Sequence, residues 1–409
     1  MASHLPRPEV WAKEVAAGTT SQGSAILRGR AEGLIRPCIV FVVLVLGGRD
    51  AWAQAGVAGR ALSIPLSADR WEFAPQKVEF LQHRSQPSMK ILPGGPPVVL
   101  KGLDFGDGTI EFDVELLDQT FVNFYFRWKS AAENETFYFR VMRAGNPAAP
   151  DAVQYAPHLS GVNLWDLLGH FQTNARLHKD AWNHVKLVVS GAQMRAYVNS
   201  ERVPTLTVPR LEGDVTRGAL AFGGEAIVAN LVVTANAVDG LSAQAGGDPT
   251  DNDPRYLRQW QVTTPAVIPP GIDFSYDLLP KPDSTWTAIE AERRGLVNLS
   301  RRFGKAEGRR ITWLKTTIHS AAAQTRKLAL GFSDEVWVLI GGKLLYVDKN
   351  WYMHPIRKEP EGRCSIENAA INLPLAAGSN ELVIGVANDF HGWGLVARLD
   401  SMEGILLGK

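Results

Sequence analysis

Glu111-Phe112-Asp113-Val114-Glu115 sets three carboxylates at positions i, i+2 and i+4. On an extended strand such positions share one face. A pair of carboxylates on one face is what acid/base cleavage of a glycosidic bond requires, about 5–5.5 Å apart for retention and about 6.5–9.5 Å apart for inversion. Glu111 and Asp113, with Asp151 further along, are the carboxylates that would carry such a reaction. A second group of residues suits recognition. Arg127 and Arg140 offer forked donors, and Tyr138 a stacking plane with a polar tip. Asp151, Gln154, Tyr155, Asn163 and Trp165 fall in a long irregular segment, residues 144–178, and combine planar amides with aromatic rings. Loops of that length inside a compact domain are commonly functional. Trp351, Tyr352, His354 and Asp389 are candidates for a sugar platform in loops, and Trp351 and Tyr352, standing between charged residues, are expected to be exposed. Trp393, between Gly392 and Gly394, reads as core packing.

The elements that must position these groups read as strands. Around the acidic triplet, Ile110, Phe112, Val114 and Leu116 alternate with Thr109, Glu111, Asp113 and Glu115, a period of two with one apolar face. Residues 121–128 repeat the pattern, with Val122, Phe124, Phe126 and Trp128 on one side and Asn123, Tyr125 and Arg127 on the other. The short connection between them predicts an antiparallel pair. Further strands are expected at 136–142, 184–190, 194–198, 218–222 and 226–234, separated by Gly, Pro and Asn. Many short strands with that punctuation predict a β-sandwich over residues 61–236. Residues 237–254 are small, polar and rich in Gly, Asp and Pro, and read as a linker. Residues 255–409 read as a second β-rich domain. Its clearest feature is a hairpin turning at Gly341-Gly342, where positive φ costs nothing. Residues 289–299 have the composition of a short helix, weakened by Gly295.

Totals narrow the partners. Among 409 residues, 43 Lys plus Arg balance 42 Asp plus Glu. That balance, with no basic patch interleaved with aromatics, argues against a nucleic-acid partner. Arg28, Arg30 and Arg36 precede the apolar run from Cys38 to Leu46, followed by Ala51-Trp52-Ala53. This is the order of an export leader, with cleavage expected after Ala53. The run is too short to span a bilayer. Residues 1–53 are thus expected to be removed, leaving a secreted or periplasmic chain with no membrane span and with Cys364 unpartnered. His158, His170, His178 and His184 fit no compact metal spacing. Asp104 and Asp107 beside a turn are a thin basis for calcium, which takes six or more oxygens. No cofactor is expected, and the oligomeric state is left open.

Two stretches carry family resemblances. Phe105-Gly106-Asp107-Gly108-Thr109-Ile110-Glu111-Phe112-Asp113-Val114, Phe126-Arg127, Gly161-Val162-Asn163-Leu164-Trp165 and Trp182-Asn183-His184-Val185-Lys186-Leu187 with Ala196-Tyr197-Val198-Asn199 resemble the concanavalin-A-like, laminin-G-like lectin and glucanase sandwich. Gly331-Phe332-Ser333-Asp334-Glu335-Val336-Trp337, Leu373 to Leu382, and Asn388 to Gly394 resemble the galactose-binding-like jelly roll attached to many bacterial glycosidases. In retaining laminarinase-like glucanases a Glu-x-Asp-x-Glu strand is catalytic, but there it lies on a later strand after a Trp-Pro stretch. Here it follows Gly108-Thr109-Ile110 on an early strand, so a solvated sheet face is expected instead. The resemblances imply an all-β, two-sandwich chain with carbohydrate as partner. The expectation is an exported protein that recognises glycans without catalysis. The alternatives are an enzyme acting on glycosides of keto-sugars and an envelope adhesion or protein-interaction module. If one site exists, Arg127 and the 144–178 segment are expected to form it.

Overall fold

The computed structural model describes residues 59–117, 120–200, 202–305 and 307–408. The leader-like segment lies outside these residues. The described chain is all-β apart from short 3-10 turns and one five-residue helix, Leu299–Phe303, and every strand pairing is antiparallel.

Four sheets stack as two sandwiches. Sheet I runs in the order Leu206–Val208, Gln193–Val198, Asn183–Ser190, Gly108–Leu116, Ala226–Ala235, Gln86–Ile91, Val78–His83. Sheet II has Phe121–Ser130 and Glu133–Arg140 at its centre, flanked by Ala219–Gly223 on one side and Val153–Tyr155 on the other. Ile110, Phe112 and Val114 of sheet I meet Phe124, Phe137, Phe139 and Phe222 of sheet II in the first core. The rings of Phe112 and Phe124 lie 4.8 Å apart, and those of Phe112 and Phe222 lie 5.1 Å apart.

This arrangement corrects the predicted hairpin between residues 109–116 and 121–128. Gly108–Leu116 pairs with Asn183–Ser190 and Ala226–Ala235, whereas Phe121–Ser130 pairs with Glu133–Arg140 and Ala219–Gly223. Both strands are central, so each needs two neighbours. Their apolar faces bury most area by facing each other across the core, and the short connection crosses from one sheet to the other. The acidic face and the tyrosine face therefore point away from each other, on opposite sides of the sandwich.

In the second sandwich, sheet III is built around Arg310–Ser320, Gly378–Asn388 and Glu335–Ile340. Sheet IV holds Gln324–Ser333, Gly394–Leu399, Ala369–Leu375 and Leu296–Asn298. Leu314, Ile384, Val386 and Val338 pack against Leu330, Phe332, Leu395 and Leu399, with Trp393 fully buried among them. Gly341 and Gly342 adopt φ of 55° and 75° and turn the hairpin between Glu335–Ile340 and Lys343–Lys349. The expected helix at 289–299 is replaced by strand Trp286–Glu290, a 3-10 turn at Arg293–Gly295 and strand Leu296–Asn298. Gly295 sits at φ 71° with the Tyr256 ring 2.4 Å from where a Cβ would stand, so the chain reverses there instead of coiling.

Residues 237–254 join the sandwiches while lying along the first one. Leu241 is buried against Val188 and Tyr197. The Ala192 N–H donates to the Ala243 carbonyl, and the Gly246 N–H to that of Pro209. Tyr256, Leu296 and Val396 join the first core beside Leu164, Leu167 and Leu168, so the two sandwiches share apolar packing. Among the described residues no helix is long and apolar enough to cross a membrane.

A candidate ligand-binding recess between the sandwiches

The outer face of sheet II is set by alternation. Phe137 and Phe139 point inward, so Thr136, Tyr138 and Arg140 point outward; Tyr155 points inward, so Gln154 points outward. A bulge then alters the reading of the neighbouring strand. Arg127 has φ 50°, and the pairing register shifts at this point on both sides. One extra residue exchanges the two faces. Trp128 thereby leaves the core face and joins Tyr125 outside, ring to ring at 5.0 Å. Arg127 is buried: its Nε donates to the Gly106 carbonyl at 3.0 Å, and its Nη2 to the Gly191 carbonyl at 2.8 Å and to Asp107 at 2.9 Å. It clamps the ends of three segments together, and the expectation that it heads a surface site is corrected.

Seven of the residues singled out from sequence come together outside sheet II. Tyr138 donates its hydroxyl to Gln154 Oε1 at 2.6 Å, and Arg140 Nη2 donates to the same oxygen at 2.7 Å. Gln154 Nε2 donates to the Trp165 carbonyl at 2.6 Å. Asn163 Oδ1 accepts from the Trp165 N–H at 2.9 Å and so fixes the start of that turn. Arg140 Nη1 donates to the Asp151 carbonyl at 2.7 Å, and the Asp151 carboxylate pairs with Arg143 at 2.9 Å. The Trp165 ring meets the edge of Tyr352, from the second sandwich, at 4.6 Å, and Arg363 lies over its other side at 5.2 Å.

The remaining two do not join. Tyr155 is in the core, donating to Glu135 at 2.7 Å and accepting from the Glu212 N–H at 2.6 Å. Trp351 packs elsewhere on the second sandwich, with its indole N–H on Glu335 at 3.2 Å and Lys349 4.6 Å from its ring.

Five further residues, Phe390, His391, His158, Tyr125 and Trp128, complete the site. Tyr352 stacks on Phe390 at 6.1 Å with ring planes 10° apart; Phe390 contacts His391 at 4.1 Å, and His391 reaches Trp165 at 6.1 Å. On the far side, His158 lies 6.1 Å from Tyr125, and its Nδ1 is 3.1 Å from Asn134 and 3.2 Å from the Thr136 hydroxyl. The result is two runs of planes outside sheet II, Trp128, Tyr125 and His158 in one and His391, Trp165, Tyr352 and Phe390 in the other, bridged by Asn163, whose Nδ2 is 3.5 Å from His158 Nε2 and whose Oδ1 accepts from the Trp165 N–H. His391 is exposed to water yet hemmed in by protein, and desolvation, with a smaller contribution from Lys305, lowers its pKa to about 4. Burial, then the neighbouring His391 and Lys305, lowers His158 to about 4 as well. Both imidazoles, His391 at the surface and His158 half-buried, are therefore neutral at pH 7. No sequence pattern marked Phe390 and His391, because only the packing of the two sandwiches brings residues 388–393 over sheet II.

Asp151 and Asp166, the buried carboxylates here, are both engaged. Asp151 is buried among arginines. Asp166 is buried beneath the 388–393 loop, accepting from the Gly392 N–H at 3.1 Å and the Ser333 hydroxyl at 3.3 Å; burial lifts its pKa to about 7. Glu111 and Asp113 lie on the opposite outer face, on sheet I. Asp113 contacts His184 at 2.8 Å and accepts from Asn230 at 2.7 Å, and Glu111 lies 3.8 Å from His184. Asp104 and Asp107 pair with Arg217 and Arg127. The described residues contain no His, Cys, Asp and Glu grouping suited to a metal ion.

No family model matches the chain. No curated protein matches it either. Solved structures similar to parts of it include a carbohydrate-binding module, CBM66, from Bacillus subtilis (14% identity, TM-score 0.26), covering 41% of this chain and 92% of that one. Bacillus licheniformis beta-glucanase is similar at 12% identity and TM-score 0.30, over 43% of this chain and 98% of that one. Domain 4 of an extracellular arabinanase from Geobacillus stearothermophilus, in complex with arabinotriose, is similar at 10% identity and TM-score 0.27, over 44% of this chain and 84% of that one.

Proposed function

We propose that the protein is an exported glycan-binding protein that holds its ligand in the recess without cleaving it. The observation that carries this reading is the two runs of aromatic planes outside sheet II, bridged by Asn163 and accompanied by the neutral imidazoles of His158 and His391. An aromatic face suits the C–H face of a sugar ring. Imidazole and amide groups can both donate to and accept from hydroxyls. Trp, Tyr and Phe provide apolar area with little loss of side-chain freedom on binding. Binding is favoured over catalysis because Asp151 and Asp166 are committed to arginine or to main-chain donors. Glu111 and Asp113, the carboxylates with hydrolase-like spacing, face away from the recess on sheet I. The second sandwich contributes Tyr352, Phe390 and His391, so it forms part of the site as well as its support.

The reading is tested with a panel of oligosaccharides and polysaccharides, each binding partner being incubated with the protein and then analysed for products. Binding with the glycan recovered intact supports the proposal. Release of a shorter sugar that Asp113→Asn or Asp151→Asn abolishes would replace it with a glycosidase.

A further inference from the structure

Beside the recess, a separate cavity of about 320 Å³ lies between the sandwiches. Its floor is aliphatic: Leu167 and Leu168 come from the first sandwich, and Leu296 and Val396 from the second. Two arginines border it. Arg363 is 2% exposed; its Nη1 is 3.5 Å from Glu361, its Nη2 is 3.7 Å from Asp151, and its Nε has no acceptor in the protein. Arg293 donates through Nη2 to the Gly247 carbonyl at 2.8 Å. Its Nη1 stops 3.7 Å from Glu212, beyond hydrogen-bond distance, and its Nε is also unpartnered.

Three buried nitrogens on two arginines that line this cavity thus have no hydrogen-bond acceptor in the protein. A buried N–H group without an acceptor is destabilising, so an incoming acceptor is favoured. Arg294 also lines the cavity, and so do Glu212 and Glu292, the latter paired with Arg301. His170, on the cavity wall, is held at about 3 by desolvation and then by Arg294 and Arg293. Burial raises the pKa of Glu212, which weakens it as a counter-ion to Arg293. A sugar does not suit this space, because four aliphatic side chains would leave its hydroxyls unpaired. A carboxylate attached to a hydrocarbon body suits both ends: guanidinium groups bind carboxylates through paired N–H donors, and the body covers the leucines.

We propose that this cavity is a second ligand site, for a small organic carboxylate with an apolar body, bound at its charged end by Arg293 and Arg363. The test is calorimetric titration of the full chain with benzoate, using benzyl alcohol as the neutral isostere, with thermal unfolding followed in parallel. One benzoate per chain is expected, with a raised Tm and at least tenfold weaker binding of benzyl alcohol. Arg293→Gln is expected to weaken benzoate at least tenfold and to leave glycan binding in the recess unchanged. Ile366→Trp, which adds bulk at the cavity wall and leaves both arginines in the sequence, is expected to abolish benzoate binding, and it decides the matter if Arg293→Gln does not fold. Absence of benzoate binding, equal binding of the alcohol, or full benzoate affinity in Ile366→Trp would each overturn the proposal.

Discussion

Asp166→Asn should change how stability depends on pH. Asp166 and Asp334 are buried on either side of the Ser333 hydroxyl, which lies 3.3 Å from one carboxyl and 3.1 Å from the other. Burial raises the pKa of Asp166 from 3.8 to about 7 and that of Asp334 well above its usual range. A carboxyl raised on folding takes up a proton as the chain folds. Its contribution is complete below pH 3.8 and is lost as pH rises through 7, because the unfolded chain then holds the anion more easily. Raising one carboxyl from 3.8 to about 7 corresponds to about 4 kcal/mol, at about 1.4 kcal/mol per pH unit. An Asn amide can still accept from the Gly392 N–H and can donate to Ser333 as the protonated acid would, but it does not titrate. Urea unfolding of both proteins at pH 4.5, 6 and 8 should therefore show Asp166→Asn gaining on the wild type by several kcal/mol between the lowest and highest pH. Glu135, raised to about 7, and the lowered His158, His170 and His391 titrate in both proteins and cancel in the difference to first order. Parallel stability curves, separated by a constant amount at all three pH values, would show that Asp166 is ionised in the folded protein and refute the reasoning.

Three other outcomes follow from the packing. Arg127→Ala leaves Asp107 and two main-chain carbonyls without their donor and should cost about 3–5 kcal/mol in chemical denaturation, while the folded fraction keeps its glycan affinity. Gly213→Ala would set a Cβ 2.4 Å from Glu135 Oε1 in the buried end of the first core and should destabilise by about 1–3 kcal/mol, read as a lowered Tm. Asp113→Asn on the outer face of sheet I should leave glycan binding by titration unchanged and shift stability by no more than about 1 kcal/mol, because its partners lie at a solvent-accessible surface.

The all-β class and most strand positions were legible because inward and outward residues alternate with a period of two. Pairing was not. The residues of Gly108–Leu116 and Phe121–Ser130 look alike whether two such strands lie side by side or face each other, and burial on both flanks decided for the latter. The side chain of Arg127 was misplaced for a different reason. A single bulge residue at positive φ exchanges inside and outside, and no glycine marks it. Gln154 and Trp165 drew attention because a segment rich in amides and rings is chemically distinctive, and Tyr138 and Arg140 because they fall on the polar positions of an alternating strand. Phe390 and His391 escaped because their importance depends on a contact between segments more than two hundred residues apart, Trp165 with His391 and Asp166 with Gly392. The leader-like segment, residues 1–53, lies outside the described structure.

Phe390→Ala tests the central claim most directly. Phe390 is 41% exposed, so truncating it should cost little stability, yet it is one of the planes that line the recess. Titration calorimetry with the tightest-binding glycan of the panel should show affinity falling about tenfold in Phe390→Ala and further in Phe390→Ala with His391→Ala, with an unchanged Tm and intact sugar recovered. Undiminished affinity in the double variant would place glycan recognition elsewhere on the protein and contradict the account.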